Sequence, residues 1–303
     1  MVNSLFQNQA RAQRNVQSHY DVSQAVLDTY LDCTYGSYTC GIFEDPDCRV
    51  VARLVERGSG EHDRFDSLEK AQWRKYQEAL RLLDLRPGES LLDIGTGYGG
   101  LLVEALKSFP SIKAVGWTHS ENQVVVARQR LAQFSDSSWE VIKGDYRLEN
   151  RHFDRIASIG MVSHVGPRGL RRYARRVRSR LGSRGRYLHH DLMIEPSILP
   201  QNLQVGPVFN KKYVWPGFHW FTLGVHIREL ESAGFRILRV DDLSSHYAKT
   251  TAAWYERMLM NEAVVSASLG QAGFRAWQVF LAGISGSLDN GGVRDYRILC
   301  EPI

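Results

Sequence analysis

Past residue 88 the chain alternates short apolar runs with stretches whose apolar positions recur every three or four residues. This is the pattern of a parallel sheet with crossover helices. The runs Ser90–Ile94, Ile112–Trp117, Trp139–Ile142, Phe153–Ile159 and Gly185–Leu192 read as strands. Residues 120–134 read as a helix that opens on Ser120 with Gln123 three residues on, a capping box, and carries Val124, Ala127 and Leu131 along one face. Residues 168–181 set Leu170, Ala174, Val177 and Leu181 on a second such stripe. A last strand pair, 235–241 and 294–300, is separated by a helical insertion over 250–286. Ahead of the sheet, residues 3–31 read as two helices, the second starting near Asp21 or Ser23 and stopping before the turn residues Asp32–Ser37. A longer helical pattern runs from Glu61 to Leu85, where Pro87 and Gly88 break it. The fold expected is α/β. A doubly wound sheet lies under an N-terminal helical lid (residues 1–60), within a unit spanning 61–303 that carries a helical cap inserted at 242–290.

Composition narrows the class without choosing a chemistry. With 303 residues, 43% hydrophobic and 23% charged, the chain has ample apolar content for a large core and is not a disordered polymer. No apolar run reaches the roughly 20 residues of a membrane-spanning helix, and Met1 to Arg14 is polar rather than a signal peptide, so a soluble, cytoplasmic protein is expected. Cys33, Cys40, Cys48 and Cys300 are too irregularly spaced for a disulfide scaffold or a zinc knuckle. A net charge of +5 mildly favours anionic partners and singles out none.

The segment Leu91–Gly100 is a strand running into a glycine turn and then a helix, the arrangement in which backbone closes on a ligand and helix N–H groups point at it. The spacing of Gly95, Gly97 and Gly100 also fits the dinucleotide fingerprint. Two features count against a nicotinamide cofactor. The acid such sites need about 20 residues on is missing from Val115-Gly116-Trp117-Thr118, and Asp93 sits where a carboxylate repels a pyrophosphate but suits a ligand carrying ammonium and sulfonium charge. S-adenosylmethionine is the cofactor expected. A purely structural turn stays as the bland alternative.

Several motifs occur in a fixed order: Gln17 to Ser23, Tyr38-Thr39-Cys40, Asp93 to Gly100, Gly144-Asp145-Tyr146, Ser158 to Met161, Ser163 to Gly166, and His246 to Thr250 with Trp254. In these the chain resembles the cyclopropane fatty acid synthase and mycolic acid methyltransferase family over nearly its whole length, in the shorter form without the long N-terminal domain of the larger bacterial lipid synthases. The resemblance implies a class I methyltransferase, Rossmann-like sheet with N-terminal helices over the pocket. It further implies that Tyr38 and Thr39 touch the amino-acid end of the cofactor and that Gly95, Gly97 and Ile159 line it. Thr118 and Gln123 approach the ribose, and Asp145 and Tyr146 the adenine. Gln123 is equally well explained by the capping box, and Asp145 by an ordinary loop.

Family members transfer a methyl group to an unactivated alkene, leaving a carbocation. In the cyclopropane synthases a bicarbonate ion is implicated as the base, held by cysteine, glutamate, histidine, tyrosine and backbone. Motif matching puts Cys40, His190 and Tyr247 in those roles, with Tyr20 over the pocket and His164 in the His-Val-Gly triplet. The glutamate position is Ser163. A serine donates a hydrogen bond but is no carboxylate base. The expectation is therefore a cavity without a strong proton acceptor of its own. The cation is then resolved by a hydride shift, an attack from within the substrate or proton loss to a weaker acceptor. A harmless substitution compensated nearby is the bland alternative. Five aromatic rings fall within Tyr213–Phe221, and of these Trp215, Phe218 and Trp220 are candidate pocket residues able to face a cation.

The function expected is C-methylation of an alkene in a prenylated or isoprenoid small molecule, an indole terpenoid of secondary metabolism. Methylation or cyclopropanation of lipid acyl chains is the alternative, and a catalytically silent binding protein a third reading that the intact motif residues oppose. The partner expected is a hydrophobic alkene substrate, with neither nucleic acid nor inserted membrane, and with a possible homo-oligomer through helix 3–17. His189-His190-Asp191 tempts as a metal site, but on a strand His189 and Asp191 share a side that His190 does not, so no metal is expected. The nine arginines from Arg168 to Arg186 read as a solvated helix face.

Overall fold

The computed structural model describes residues 24–45, 66–135, 138–196 and 218–303. Tyr20, Trp215, Cys48 and the helix expected over 3–17, with its role in oligomerisation, lie outside these residues. Seven strands form one sheet in the order β3-β2-β1-β4-β5-β7-β6. They are β1 (Ser90–Ile94), β2 (Lys113–Thr118), β3 (Trp139–Lys143), β4 (Phe153–Ile159), β5 (Leu181–Ile194), β6 (Phe235–Asp242) and β7 (Val293–Pro302). The first five run parallel, and β7 lies antiparallel between β5 and β6. The chain leaves β1 toward β2 on one side and returns to β4 on the other, so the strand order reverses beside β1. Open α/β sheets bind ligands at that point, beyond the carboxyl ends of the strands.

The helices cover the sheet where the apolar stripes predicted them, with shifted ends. Helix α1 (Gln24–Tyr30) precedes α2 (Leu68–Leu83), which Ser67 caps by accepting the Lys70 N–H at 3.2 Å and which closes on Asp84 in the left-handed region at φ 52°. Next come α3 (Gly100–Ser108), α4 (Glu121–Leu131), α5 (Leu170–Arg180) and α6 (Leu223–Ser232). Helix α5 stops short of Leu181 because that residue is already extended. It pairs with Phe153 across a register break that carries β5 four residues earlier than its apolar run suggests. Helix α6 was not foreseen: Gly224, Val225 and Ile227 dilute its helical signal, and its buried residues are only His226 and Leu230.

The helices inserted before β7 span 244–289, beyond the helical pattern read over 250–286 and within the cap expected at 242–290. Helix α7 (Ser244–Met260) starts directly after β6, and α8 (Glu262–Asp289) is two helical pieces joined at Gly270, which is non-helical at φ 71°. These helices and α1 share one core, in which Val26, Leu27 and Tyr30 pack with Trp254, Met258, Phe274 and Trp277. Among the described residues, no helix is long and apolar enough to cross a membrane.

Candidate active site

Two adjoining cavities open at the strand-order reversal. The larger is walled by the loop after β1, the ends of β2 and β4, and residues Tyr35–Thr39 of the segment after α1. Gly97 has φ 54°, and a Cβ built on it meets nothing within 4 Å. The loop thus presents bare backbone to open space, a cradle that a side chain would fill. Asp93 is 3% exposed, and burial lifts its carboxyl to about 7 against the opposing pull of Thr96 and Lys75. A buried acid with so little solvation gains from a cationic ligand, and the ammonium of S-adenosylmethionine supplies one. Thr39 is pressed against Gly160, where a Cβ would lie 2.5 Å from its methyl group. The donor set and the bare cradle fit the cofactor expected from the sequence.

At the other end of this cavity Thr118, Gln123, Asp145 and Tyr146 come together as the motifs required. Thr118 donates to Gln123 Oε1 at 2.6 Å, so the two candidate ribose partners are paired with each other. The capping box is half made. Ser120 accepts the Gln123 N–H at 3.3 Å, but the Ser120 N–H goes to Thr118 at 3.2 Å while the Gln123 side chain turns into the cavity. Asp145 is engaged by Arg147, whose Nε donates at 2.8 Å and whose backbone N–H donates at 2.9 Å. Burial pushes its carboxyl up, but these bonds outweigh that and hold it below the usual range. An adenine amino group must share Asp145 with this guanidinium. Burial also raises the Tyr146 phenol and lowers the nearby His119 imidazole, keeping both neutral.

The smaller cavity shares Tyr38, Thr39, Ile159, Gly160 and His164 with the larger one, and gathers Cys40, Ser163, His190 and Tyr247. Cys40 is fully buried, and burial first, then Asp295, drives its thiol far up, so it stays protonated. Desolvation lowers His164 to about 4 and keeps it neutral. Tyr247 sits edge-on to Trp254 at 5.9 Å, and Tyr38 stacks on the same indole at 5.1 Å. Trp220 is in the wall, while Phe218, 4% exposed, packs behind it at 4.8 Å rather than lining the space.

The expectation of a cavity without its own acid does not hold. Asp295, 1% exposed and also in the wall, is hydrogen-bonded to His190 Nε2 at 2.7 Å. It stands on β7, opposite Leu192 in the ladder and outside every motif that pointed to the pocket. Ser163 carries no charge, but its N–H donates to Asp191 Oδ2 at 2.8 Å, so a second carboxylate is close. Strand alternation separates the two histidines as expected: His189 bonds Tyr187 and His226, each at 2.8 Å, away from the cavity of His190. It does not separate Asp191 from His190, since both are in this cavity's wall.

The ligand atoms of Cys40, His190 and Asp295 all lie within 4.8 Å of one another. The 2.7 Å between His190 Nε2 and Asp295 Oδ2 is a shared hydrogen. Two ligands of a tetrahedral zinc ion stand about 3.4 Å apart, given metal–ligand distances near 2.1 Å.

Behind the wall, Lys75, which the sequence reading passed over, is 1% exposed and holds the lining residue Thr39, donating to its Oγ1 at 2.8 Å and to Gln72 Oε1 at 2.6 Å. Burial lowers it to about 8. The available signal was a lysine on the buried stripe Ala71, Lys75, Ala79 of α2. Several of the arginines expected on a solvated face instead bind backbone: Arg178 donates to the Gly234 carbonyl at 3.1 Å and Arg186 to that of Leu82 at 3.0 Å.

Comparison with known proteins agrees with this geometry. The chain is 28% identical over 290 residues to a probable fatty acid methyltransferase of Pseudomonas putida, covering 93% of this chain and 67% of that protein. It is 28% identical over 280 residues to cyclopropane mycolic acid synthase 3 of Mycobacterium tuberculosis, covering 89% and 90%. The chain spans about half to two thirds of the length of other curated relatives it matches. A crystal structure of a mycolic acid cyclopropane synthase in complex with SAH and CTAB superposes with TM-score 0.83 at 26% identity, over 95% of this chain and 97% of that one. Residues 7–294 match the family described as mycolic acid cyclopropane synthetase, and with the cofactor cradle in place the chain belongs to that family as an S-adenosylmethionine-dependent methyltransferase of the cyclopropane synthase and lipid methyltransferase type.

Proposed function

We propose that the protein is a C-methyltransferase that methylates an alkene carbon of a prenylated or isoprenoid small molecule, an indole terpenoid, generating a carbocation that can drive cyclisation. The observation that carries this reading is the union of the two cavities through Tyr38, Thr39, Ile159, Gly160 and His164. One cavity suits a charged nucleoside cofactor, and the other is walled by aromatic rings and almost wholly buried polar groups. The bound cofactor supplies an electrophilic methyl group.

The chain's own residues do the rest. Asp93 and the Gly97 backbone hold the charged end of the cofactor, while Thr118, Gln123, Asp145 and Tyr146 orient the nucleoside. Tyr38, Trp220 and Tyr247 are in the cavity wall, where a ring that turns its π face to a cation stabilises it without attacking it, worth about 0.5–2 kcal/mol for each well-placed ring. The packing of Tyr38 and Tyr247 on Trp254 excludes water, the competing nucleophile. Ser163 stands at the family's glutamate position, and with Asp295 in the same wall the cavity keeps an acid that is compatible with either substrate class. The names of the fatty acid and mycolic acid relatives support the second reading, methylation or cyclopropanation of lipid acyl chains.

Incubation with methyl-labelled cofactor and either a prenylated indole or vesicles of unsaturated phosphatidylglycerol separates the two. Label in the prenyl chain is expected. Label only in phospholipid, as a cyclopropane, refutes the isoprenoid reading.

A further inference from the structure

We infer that His190 and Asp295 are the proton-accepting pair of the substrate cavity, His190 taking the proton and Asp295 positioning it. The inference rests on the alkene-methylation reading above and holds for either substrate class.

Methylation of an alkene leaves a cation that becomes a stable product when a neighbouring carbon or the newly added methyl group gives up a proton. The C–H electron pair then forms the new double bond or the closing ring bond, and the proton needs an acceptor inside the cavity. The described wall offers few. Burial pushes the Asp191 carboxyl up to about 7, but its two oxygens are tied to the backbone N–H groups of Ser163 and Leu192, each at 2.8 Å. Among the described residues no side chain is paired with it to neutralise or orient a transferred proton, as Asp295 is with His190. Cys40 is held as the thiol, and His164 at about 4 binds a proton weakly. Tyr247 and Ser163 are neutral hydroxyls.

His190 and Asp295 remain, side chains 3% and 2% exposed, joined at 2.7 Å. A carboxylate accepting from Nε2 fixes the hydrogen there and leaves the lone pair on Nδ1, the arrangement that makes an imidazole a base. When Nδ1 takes the substrate proton, the imidazolium forms against a buried carboxylate that neutralises it.

Asp295 is set rigidly for this task. Its N–H donates to Ser244 Oγ at 3.0 Å, and its carbonyl accepts from Leu243 N–H at 2.8 Å, tying β7 to the start of α7. His190 is fixed from the other side, its carbonyl accepting the Gly160 N–H at 2.8 Å. The pair thus ends where the two cavities meet, next to the residues they share.

The test uses the full-length protein with S-adenosylhomocysteine. Nitrogen-15 NMR of histidine-labelled protein, assigned by the signal lost in His190→Gln, is expected to show His190 as the Nε2–H tautomer. Asp295→Asn is expected to lower methyl incorporation about 100-fold, with cofactor affinity held within threefold and partial recovery in Asp295→Glu. The substrates are the prenylated indole and the unsaturated phosphatidylglycerol vesicles. An Nδ1–H tautomer, or turnover in Asp295→Asn within threefold of the wild type, overturns the inference. If the wild type methylates neither substrate, the alkene reading falls, and the tautomer, which needs neither substrate nor the Asp295 variants, still decides the pair.

Discussion

Cofactor affinity should depend on pH through Asp93. Its carboxyl titrates near 7 because burial removes the solvation of the charged form, and only the ionised form attracts an ammonium. For a ligand that selects the ionised form, the apparent Kd rises about eightfold between pH 7.5 and pH 6, close to 1.3 kcal/mol. Lys75, buried behind the wall, and the histidines facing the cavity leave that window largely clear. Lys75 titrates near 8 and stays mostly protonated, and burial keeps His164 near 4 and His119 below the usual histidine range. Calorimetric titration with S-adenosylhomocysteine over this interval should show weakening toward acid, and Asp93→Asn should be weak and flat throughout. A second sign follows from the same shift. Because the folded protein holds the Asp93 proton more tightly than the unfolded chain, ligand-free stability contributed there falls as pH rises from about 4 to 7. Ligand-free Asp93→Asn should therefore melt higher than the wild type at pH 8 and not at pH 5. A Kd independent of pH in the wild type, or the same slope in Asp93→Asn, refutes the reasoning.

Two further substitutions probe the cavities. Gly97→Val forces a β-branched residue to φ 54° and fills the bare cradle, so it should cost about 1–2 kcal/mol of stability and weaken S-adenosylhomocysteine binding at least about tenfold, with circular dichroism unchanged. Ser163→Glu, which restores the family's residue, places a third acid beside Asp191 and Asp295. It should lower the melting temperature and turnover, with a cost of about 1–3 kcal/mol, and the cost should shrink in an Asp295→Asn background. Wild-type stability and turnover in the single variant would show that the site is indifferent to the extra charge.

Much of the sheet was legible because each strand is a short apolar run between breakers. β1 and β4 begin and end where their runs do, since nothing but burial sets them. β5 does not, because its first residues pair across a bulge whose geometry depends on Phe153, a residue on another strand. Helix α6 escaped notice because its weak formers are held by the packing of His226 against His189 and Phe221, a tertiary contact absent from any local pattern. The capping box at Ser120 illustrates the same limit. The spacing named the right helix start, but the Gln123 side chain had a better partner in Thr118, which only the cavity brings near.

The site was legible where it is local and illegible where it is not. Gly95, Gly97, Tyr38, Cys40 and Ser163 sit in short motifs, and the structure brings them to two adjoining cavities. Asp295 belongs to no motif. Its place depends on β7 running antiparallel between β5 and β6, which sets residue 295 opposite residue 192. Reading a lost function from the serine at 163 assumed that a carboxylate can reach the substrate only from the loop after β4. The cavity has walls from β4, β5, α7 and β7, and an acid on any of them faces the same few ångströms of space. A motif records which residue stands at one point of that wall, whereas the chemistry depends on the charge inside it, and an acid lost from the loop after β4 is matched here by one on β7.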